Sequence, residues 1–222
     1  MLKIVPFSDV LEERARTEGI KKGERTRIRL MRTTARLLQN VYFHSLRVGD
    51  ICEGANVSQG TFYLYFKDKK DVSTALLSEF TRYVYEILDR AGSGHDDPRQ
   101  SVYQTTLAYV AIFQQNRGLM RCLLQPAEEL AEFEKIYRTL NSEWNRRVSR
   151  AIARWSNGTT DVTDEHLLTA YALGAMVDEF LTNLYVRRDP NITEIAGEPE
   201  QVAELLSRLW YRSIFQAPFA PA

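Results

Sequence analysis

Apolar residues recur with helical spacing along almost the whole chain. No run alternates with period two for long enough to predict a sheet. Residues 8–18 read as a short charged helix. A firmer helix is predicted over about Glu24–Gln39, where Ile28, Met31, Ala35 and Leu38 form one stripe and the other faces are basic. Two short helices follow, Val48–Ala55 and Ser58–Phe66, separated by Asn56-Val57. Asn tolerates the left-handed backbone that so tight a turn requires, and Ser58 is placed to cap the second helix.

A long helix is predicted after Asp68, its N-cap, with Val72, Leu76, Phe80, Tyr83 and Ile87 on one face and Leu77, Val84 and Leu88 on another. Apolar on two sides, it needs several neighbours to cover it. The loop AGSGHDDP ends it, and Asp97-Pro98 opens a helix to about Asn116. A short apolar helix runs from Arg117 to Gln125, and Pro126 resets the chain for a long one reaching Trp155. Helices over about Thr163–Arg187, with Asp189-Pro190 as its stop, and Pro199–Phe215 complete the pattern. The expected fold is all-α with about nine to ten helices. Its divisions are an N-terminal extension (1–20), a three-helix unit (21–68), a connecting helix (69–90), a larger helical bundle (91–216) and a frayed tail (217–222).

Charge changes the picture. The chain has 222 residues, 44% of them hydrophobic, and its 29 Lys/Arg balance 29 Asp/Glu. That composition is globular, and at first sight the balance argues against a nucleic-acid protein. Residues 21–70, however, hold 11 Lys/Arg and 4 Asp/Glu, a local charge of +7, and the remainder carries −7. Opposite electrostatics in the two parts suggest two jobs, one of them meeting a polyanion. The only cysteines, Cys52 and Cys122, sit in apolar patterns far apart and read as buried reduced thiols. No CxxC, CxxxH or HExxH occurs, so neither a metal nor a cofactor is expected. The N-terminus lacks a signal-peptide core, and the longest nearly apolar stretch, Tyr171–Val177, is far short of a membrane span. A cytoplasmic location is expected.

Two short helices joined by a tight turn within a basic region make the pattern of a helix-turn-helix reader. In SQGTFYLYF, Val57, Phe62 and Phe66 can face inward, which leaves Gln59, Thr61, Tyr63 and Tyr65 for outer faces. Hydroxyl and amide groups there can donate to phosphates or base edges, and the rings can meet thymine methyls. The segment NVSQGTFYLYFKDKKDV resembles the recognition segment of TetR-family transcriptional repressors, and VGDICEGANVS is similar to that family's first reader helix and turn. The resemblance covers about residues 25–90. It implies DNA contacts by Arg47, Gln59, Gly60, Thr61, Tyr63, Tyr65 and Lys69, with Gln59 and Gly60 at positions that approach base edges; Ser58, at the start of the same helix, and Lys67, directly after it, join them as DNA-binding candidates. Three departures stand out: Tyr42 replaces a usual Gly, Gly49 occupies a frequent contact position, and Asn56 replaces the usual turn Gly. For Tyr63 and Tyr65 alone, packing is the simpler account, but with Thr61, Lys69 and the +7 segment taken together the DNA account wins. Lys21, Lys22, Arg25 and Arg27 fit a solvated charge run and a minor-groove arm equally well.

Residues 100–216 resemble the family's effector-binding and dimerisation region in architecture only. The implied function is a repressor released from a near-palindromic double-stranded DNA operator by a small hydrophobic effector. Its last two helices would pair across a two-fold axis in a homodimer. Ala170 and Gly174 offer a small-residue strip, and Val202–Leu209 an apolar face, although packing within one subunit explains both. Candidate effector contacts are Tyr103, Phe113, Met120, Trp144, Met176 and Phe180, with His166 and Asn183 as polar anchors, and ordinary packing accounts for each better than a ligand does. No Ser or Cys has a recognisable base partner, so no enzyme is expected. Two rival readings are a ligand-independent DNA-binding protein and an all-α carrier or enzyme.

Overall fold

The computed structural model describes residues 4–124 and 131–215. Pro126 and the tail at 217–222 lie outside them. Among the described residues there is no strand. The α-helices are α1 (Phe7–Arg16), α2 (Lys22–Leu38), α3 (Val48–Ala55), α4 (Gln59–Tyr63), α5 (Lys69–Gly92), α6 (Pro98–Gln115), α7 (Arg117–Leu124), α8 (Ala131–Asn157), α9 (Asp164–Leu181), α10 (Pro190–Thr193) and α11 (Pro199–Phe215). The chain divides into two compact units. One comprises Lys3–Tyr83 with Ile112–Tyr137, the other Val84–Ala111 with Arg138–Ala222.

In the first unit, the predicted stripe of α2 is the buried one: Ile28, Met31, Ala35 and Leu38 are at most 2% exposed. The charged N-terminal segment is a helix with an anchor. Phe7 and Leu11 of α1 are buried, and the Phe7 ring packs against Phe80 and Tyr83 at centroid distances of 5.4 and 5.2 Å. Burying two such side chains contributes about 1.5–3 kcal/mol each, enough to hold so short a helix. The Phe7 N–H donates to the buried Asn116 Oδ1 at 2.7 Å, which joins the start of α1 to the end of α6.

The end of α2 meets the start of α7 without intervening side-chain volume. Gly118 N donates to Gln39 Oε1 at 3.1 Å, and Gln39 Nε2 donates to the Gln115 carbonyl at 3.0 Å. Arg121 donates to the Leu38 and Val41 carbonyls at 2.8 and 2.6 Å, closing the orphan acceptors at the helix end, and its guanidinium lies over the Tyr42 ring. A Cβ on Gly118 would fall 2.1 Å from the Leu38 carbonyl oxygen, so only glycine permits this approach.

In the second unit, Ala170, Leu173, Val177 and Leu181 of α9 and Val202, Ala203 and Leu206 of α11 are buried. Ala170 therefore packs within the chain, and the exposed large apolar residues of α9 are Leu168 and Tyr171. Thr163 and His166 cap α9 reciprocally. The single helix expected over Thr163–Arg187 changes register at its end, because Thr182–Arg187 is π-helical and Arg188 takes a left-handed φ of 56°. Asp189-Pro190 stops that helix and also starts a new one: Asp189 Oδ1 accepts from Asn191 N, capping the single turn of α10. Among the described residues no helix is long and apolar enough to cross a membrane, and no group of three or more His, Cys, Asp or Glu gathers to hold a metal.

Candidate nucleic-acid interface

The reader is built from local signals. Asn56 sits at φ 50°, ψ 56° and turns the chain out of α3, with Val57 N bonding back to the Cys52 carbonyl. Ser58 then caps α4, its Oγ accepting from Thr61 N at 3.1 Å, a cap worth about 1 kcal/mol. Phe62 and Phe66 are buried and lie 5.9 Å apart, which fixes the rotation of α4 on α2 and α3. Ile51, Cys52 and Ala55 bury the inner face of α3. Asp68 Oδ1 accepts from Asp71 N at 2.8 Å and starts α5 directly behind the reader.

The nine positions expected from the sequence to contact DNA fall into two groups. Arg47, Gln59, Gly60, Tyr63 and Lys67 are exposed, and Tyr63 leans edge-on against Phe62. The other four engage their own fold. Ser58 Oγ and Thr61 Oγ1 are 3.0 Å apart and bond to each other, so the first carries the cap and the second supports it. The hydroxyl of Tyr65, half-buried, lies over the start of α2, 3.5 Å from where a Cβ on Gly23 would stand. Lys69 Nζ donates to three carbonyls, Phe43 at 3.2 Å, His44 at 2.8 Å and Leu46 at 3.0 Å, and sits 5.0 Å from the Phe43 ring centroid. An ammonium group has three protons, and all three are used here. Lys69 thus ties the α2–α3 connection to α5.

The local excess of positive charge is also partly spent inside the unit. Glu79 accepts from Arg14 at 2.7 Å and Arg27 at 3.3 Å, Glu12 pairs with Arg32, and Lys70 pairs with Glu132 at 2.6 Å. Arg25 donates to the Ala15 carbonyl. Lys21, Lys22, Arg29, Arg36, Arg47 and Lys67 remain exposed and without an ion pair among the described residues. Asp50 and Glu53 are exposed on α3, so the cationic surface is patterned rather than uniform.

Sequence reasoning passed over Leu64, which directly follows α4 and is 80% exposed between Tyr63 and Tyr65. A helical projection from Phe62 would have found it. The α2–α7 junction had no local signal, because its hydrogen-bonding partners lie 76–83 residues apart.

The eight candidate effector positions are not gathered in one unit. Phe113 and Met120 are buried in the first. Tyr103, Trp144, Met176, Phe180, His166 and Asn183 belong to the second. Trp144 stacks edge-on against Tyr85, with centroids 6.0 Å apart. His166 Nδ1 accepts from Thr163 N at 3.2 Å, and Asn183 bonds to both Glu179 and Arg187.

A capped reader helix set across a left-handed turn, with polar groups and unpaired cations outward, defines a helix-turn-helix protein of the DNA-binding class. Residues 30–76 match the family described as bacterial regulatory proteins, tetR family. The HTH-type transcriptional regulator EthR of Mycolicibacterium smegmatis is 24% identical over 211 residues, covering 91% of this chain and 92% of EthR. Among solved structures, the fatty acid degradation regulator FadR of Bacillus halodurans aligns with TM-score 0.68 at 15% identity, over 86% of this chain and 96% of that one. FadR of Bacillus subtilis, solved in complex with stearoyl-CoA, aligns with TM-score 0.65 at 16% identity, over 82% and 96%. Residues 30–76 carry a DNA-binding domain of the tetR family, and the fold of the chain is that of TetR-family regulators.

Proposed function

We propose that this chain is a repressor that binds a near-palindromic operator as a homodimer and is released by a small apolar ligand. The observation that carries the DNA part is the outward face of α4 and its flanks: Gln59, Gly60 and Tyr63 are exposed, and the exposed Arg47 and Lys67 side chains have no ion pair among the described residues. A five-residue reader buries too little surface for tight specific binding, so two copies set about 34 Å apart on successive major-groove faces are needed. Exposed apolar residues on both α9 and α11, Leu168, Tyr171, Leu205 and Leu209, support pairing through those helices. The uninterrupted α5, about 36 Å long at 1.5 Å per residue, supports a mechanical link from bundle to reader. The stearoyl-CoA bound by Bacillus subtilis FadR supports a ligand with a long apolar part.

The test begins by selecting bound fragments from genomic DNA, then titrating salt. With about four Lys/Arg–phosphate contacts per subunit, log K against log salt slopes near −7 for the dimer. A flat dependence refutes DNA binding. Operator affinity measured with and without each compound that raises the melting temperature then tests release, and unchanged affinity throughout would identify a ligand-independent binder.

A further inference from the structure

Leu64 is the most exposed of the large apolar side chains in the first unit, 80% open to solvent. One exposed leucine needs no explanation in itself, but its position does. At 3.6 residues per turn, Gly60 and Leu64 both stand about 160° around the helix from Phe62, which is fully buried. They form the outermost strip of the reader. A Cβ at Gly60 would have Ser58 Oγ, at 3.8 Å, as its one neighbour within 4 Å beyond its own helix backbone among the described residues, so the space in front of it is open. The strip is therefore bare backbone for one turn and then an isobutyl group. Bare backbone lets the helix sink into a groove, and Leu64 is carried in with it.

Leu64 cannot donate to or accept from a base edge with its side chain. The one apolar group presented by bases in the major groove is the C5 methyl of thymine. We propose that Leu64 is a specificity-determining residue that packs on a thymine methyl, so that each half-site carries a required thymine opposite it. This rests on the DNA reading of α4 given above and assigns a base preference within it.

The experiment uses the full chain and the tightest duplex selected from genomic DNA. Each thymine of the half-site is replaced symmetrically by deoxyuridine, which removes only the C5 methyl. Binding of wild type and Leu64→Ala is read by fluorescence anisotropy at fixed salt. For wild type, one replacement weakens binding about fourfold per half-site and about 15-fold for the pair, the value of one buried methyl at each half-site. Leu64→Ala binds the thymine duplex as weakly as wild type binds that uracil duplex, and it does not respond to the replacement. An unchanged thermal melt shows that this surface substitution has left the fold intact. If Leu64→Ala is weakened by the same factor on thymine and uracil duplexes, or is not weakened at all, the methyl packing is overturned while DNA binding stands. If wild type binds no duplex at any salt, the DNA reading falls and this inference with it.

Discussion

Replacing Gly118 with alanine should weaken the first unit by a specific and large amount. The new Cβ would stand 2.1 Å from the Leu38 oxygen, 2.5 Å from its carbonyl carbon and 2.7 Å from Gln39 N. All three are backbone atoms, so no rotamer change relieves the clash. Restoring van der Waals separation requires α7 to withdraw from α2 by roughly 1.2 Å. That shift stretches Gly118 N to Gln39 Oε1 from 3.1 Å, and Arg121 to the Leu38 and Val41 carbonyls from 2.8 and 2.6 Å, towards the limit of hydrogen bonding. Overpacking costs about 1–3 kcal/mol, and two or three weakened bonds add about 1 kcal/mol each. Better helix propensity returns about 1 kcal/mol, which leaves a net loss of about 2–5 kcal/mol. At about 2–4 °C per kcal/mol, the melting temperature falls by roughly 4–20 °C.

The assay separates the units. Trp144, Trp155 and Trp210 all lie in the second, so tryptophan fluorescence follows that unit while far-ultraviolet circular dichroism follows both. The expected result is a lowered dichroism transition with a smaller change in fluorescence. Gly49→Ala is the control: nothing lies within 4 Å of its added Cβ, and α3 should gain about 0.5–1 kcal/mol. A Gly118→Ala protein that melts with wild type would refute the close-approach argument.

Lys69→Met should lower stability by about 2 kcal/mol, because three carbonyls lose a charged donor, yet leave the salt slope of DNA binding unchanged. Lys67→Ala should do the reverse, reducing the slope by about one for each phosphate left without its ammonium partner while the melt stays put. A lowered slope for Lys69→Met would instead place that ammonium on DNA. Asn56→Ala should cost about 1 kcal/mol by forcing an ordinary side chain into the left-handed region, whereas Asn56→Gly should be close to neutral by urea unfolding. Burial pushes the Cys122 thiol up to about 11. The folded state therefore keeps a proton that the unfolded chain releases at about pH 8.5–9, so stability falls as pH rises from there towards 11. Cys122→Ala should flatten that alkaline loss, and native Cys122 should resist alkylation at pH 8.

Much of the reader was legible in the sequence because its determinants are local. The limits of α3, the left-handed turn at Asn56, the Ser58 cap, the Asp68 cap and the inward Phe62 and Phe66 all follow from side chains within four residues of the backbone they govern. The use of each cation was not legible. Lys69, Arg27 and Arg32 look like Lys67 and Arg47 in a sequence, and only the carbonyls and carboxylates brought from elsewhere in the chain separate them.

The sequence by itself determined the helical class, the position of the reader and the concentration of positive charge in residues 21–70. Helical period, capping and net charge are sums over neighbouring residues and need no knowledge of the fold. Tertiary structure alone decided which charges are left without an ion pair among the described residues and why residue 118 has to be glycine. Those properties depend on atoms that are distant in the chain and close in space, and a hydrogen bond or a steric clash acts only across that second distance.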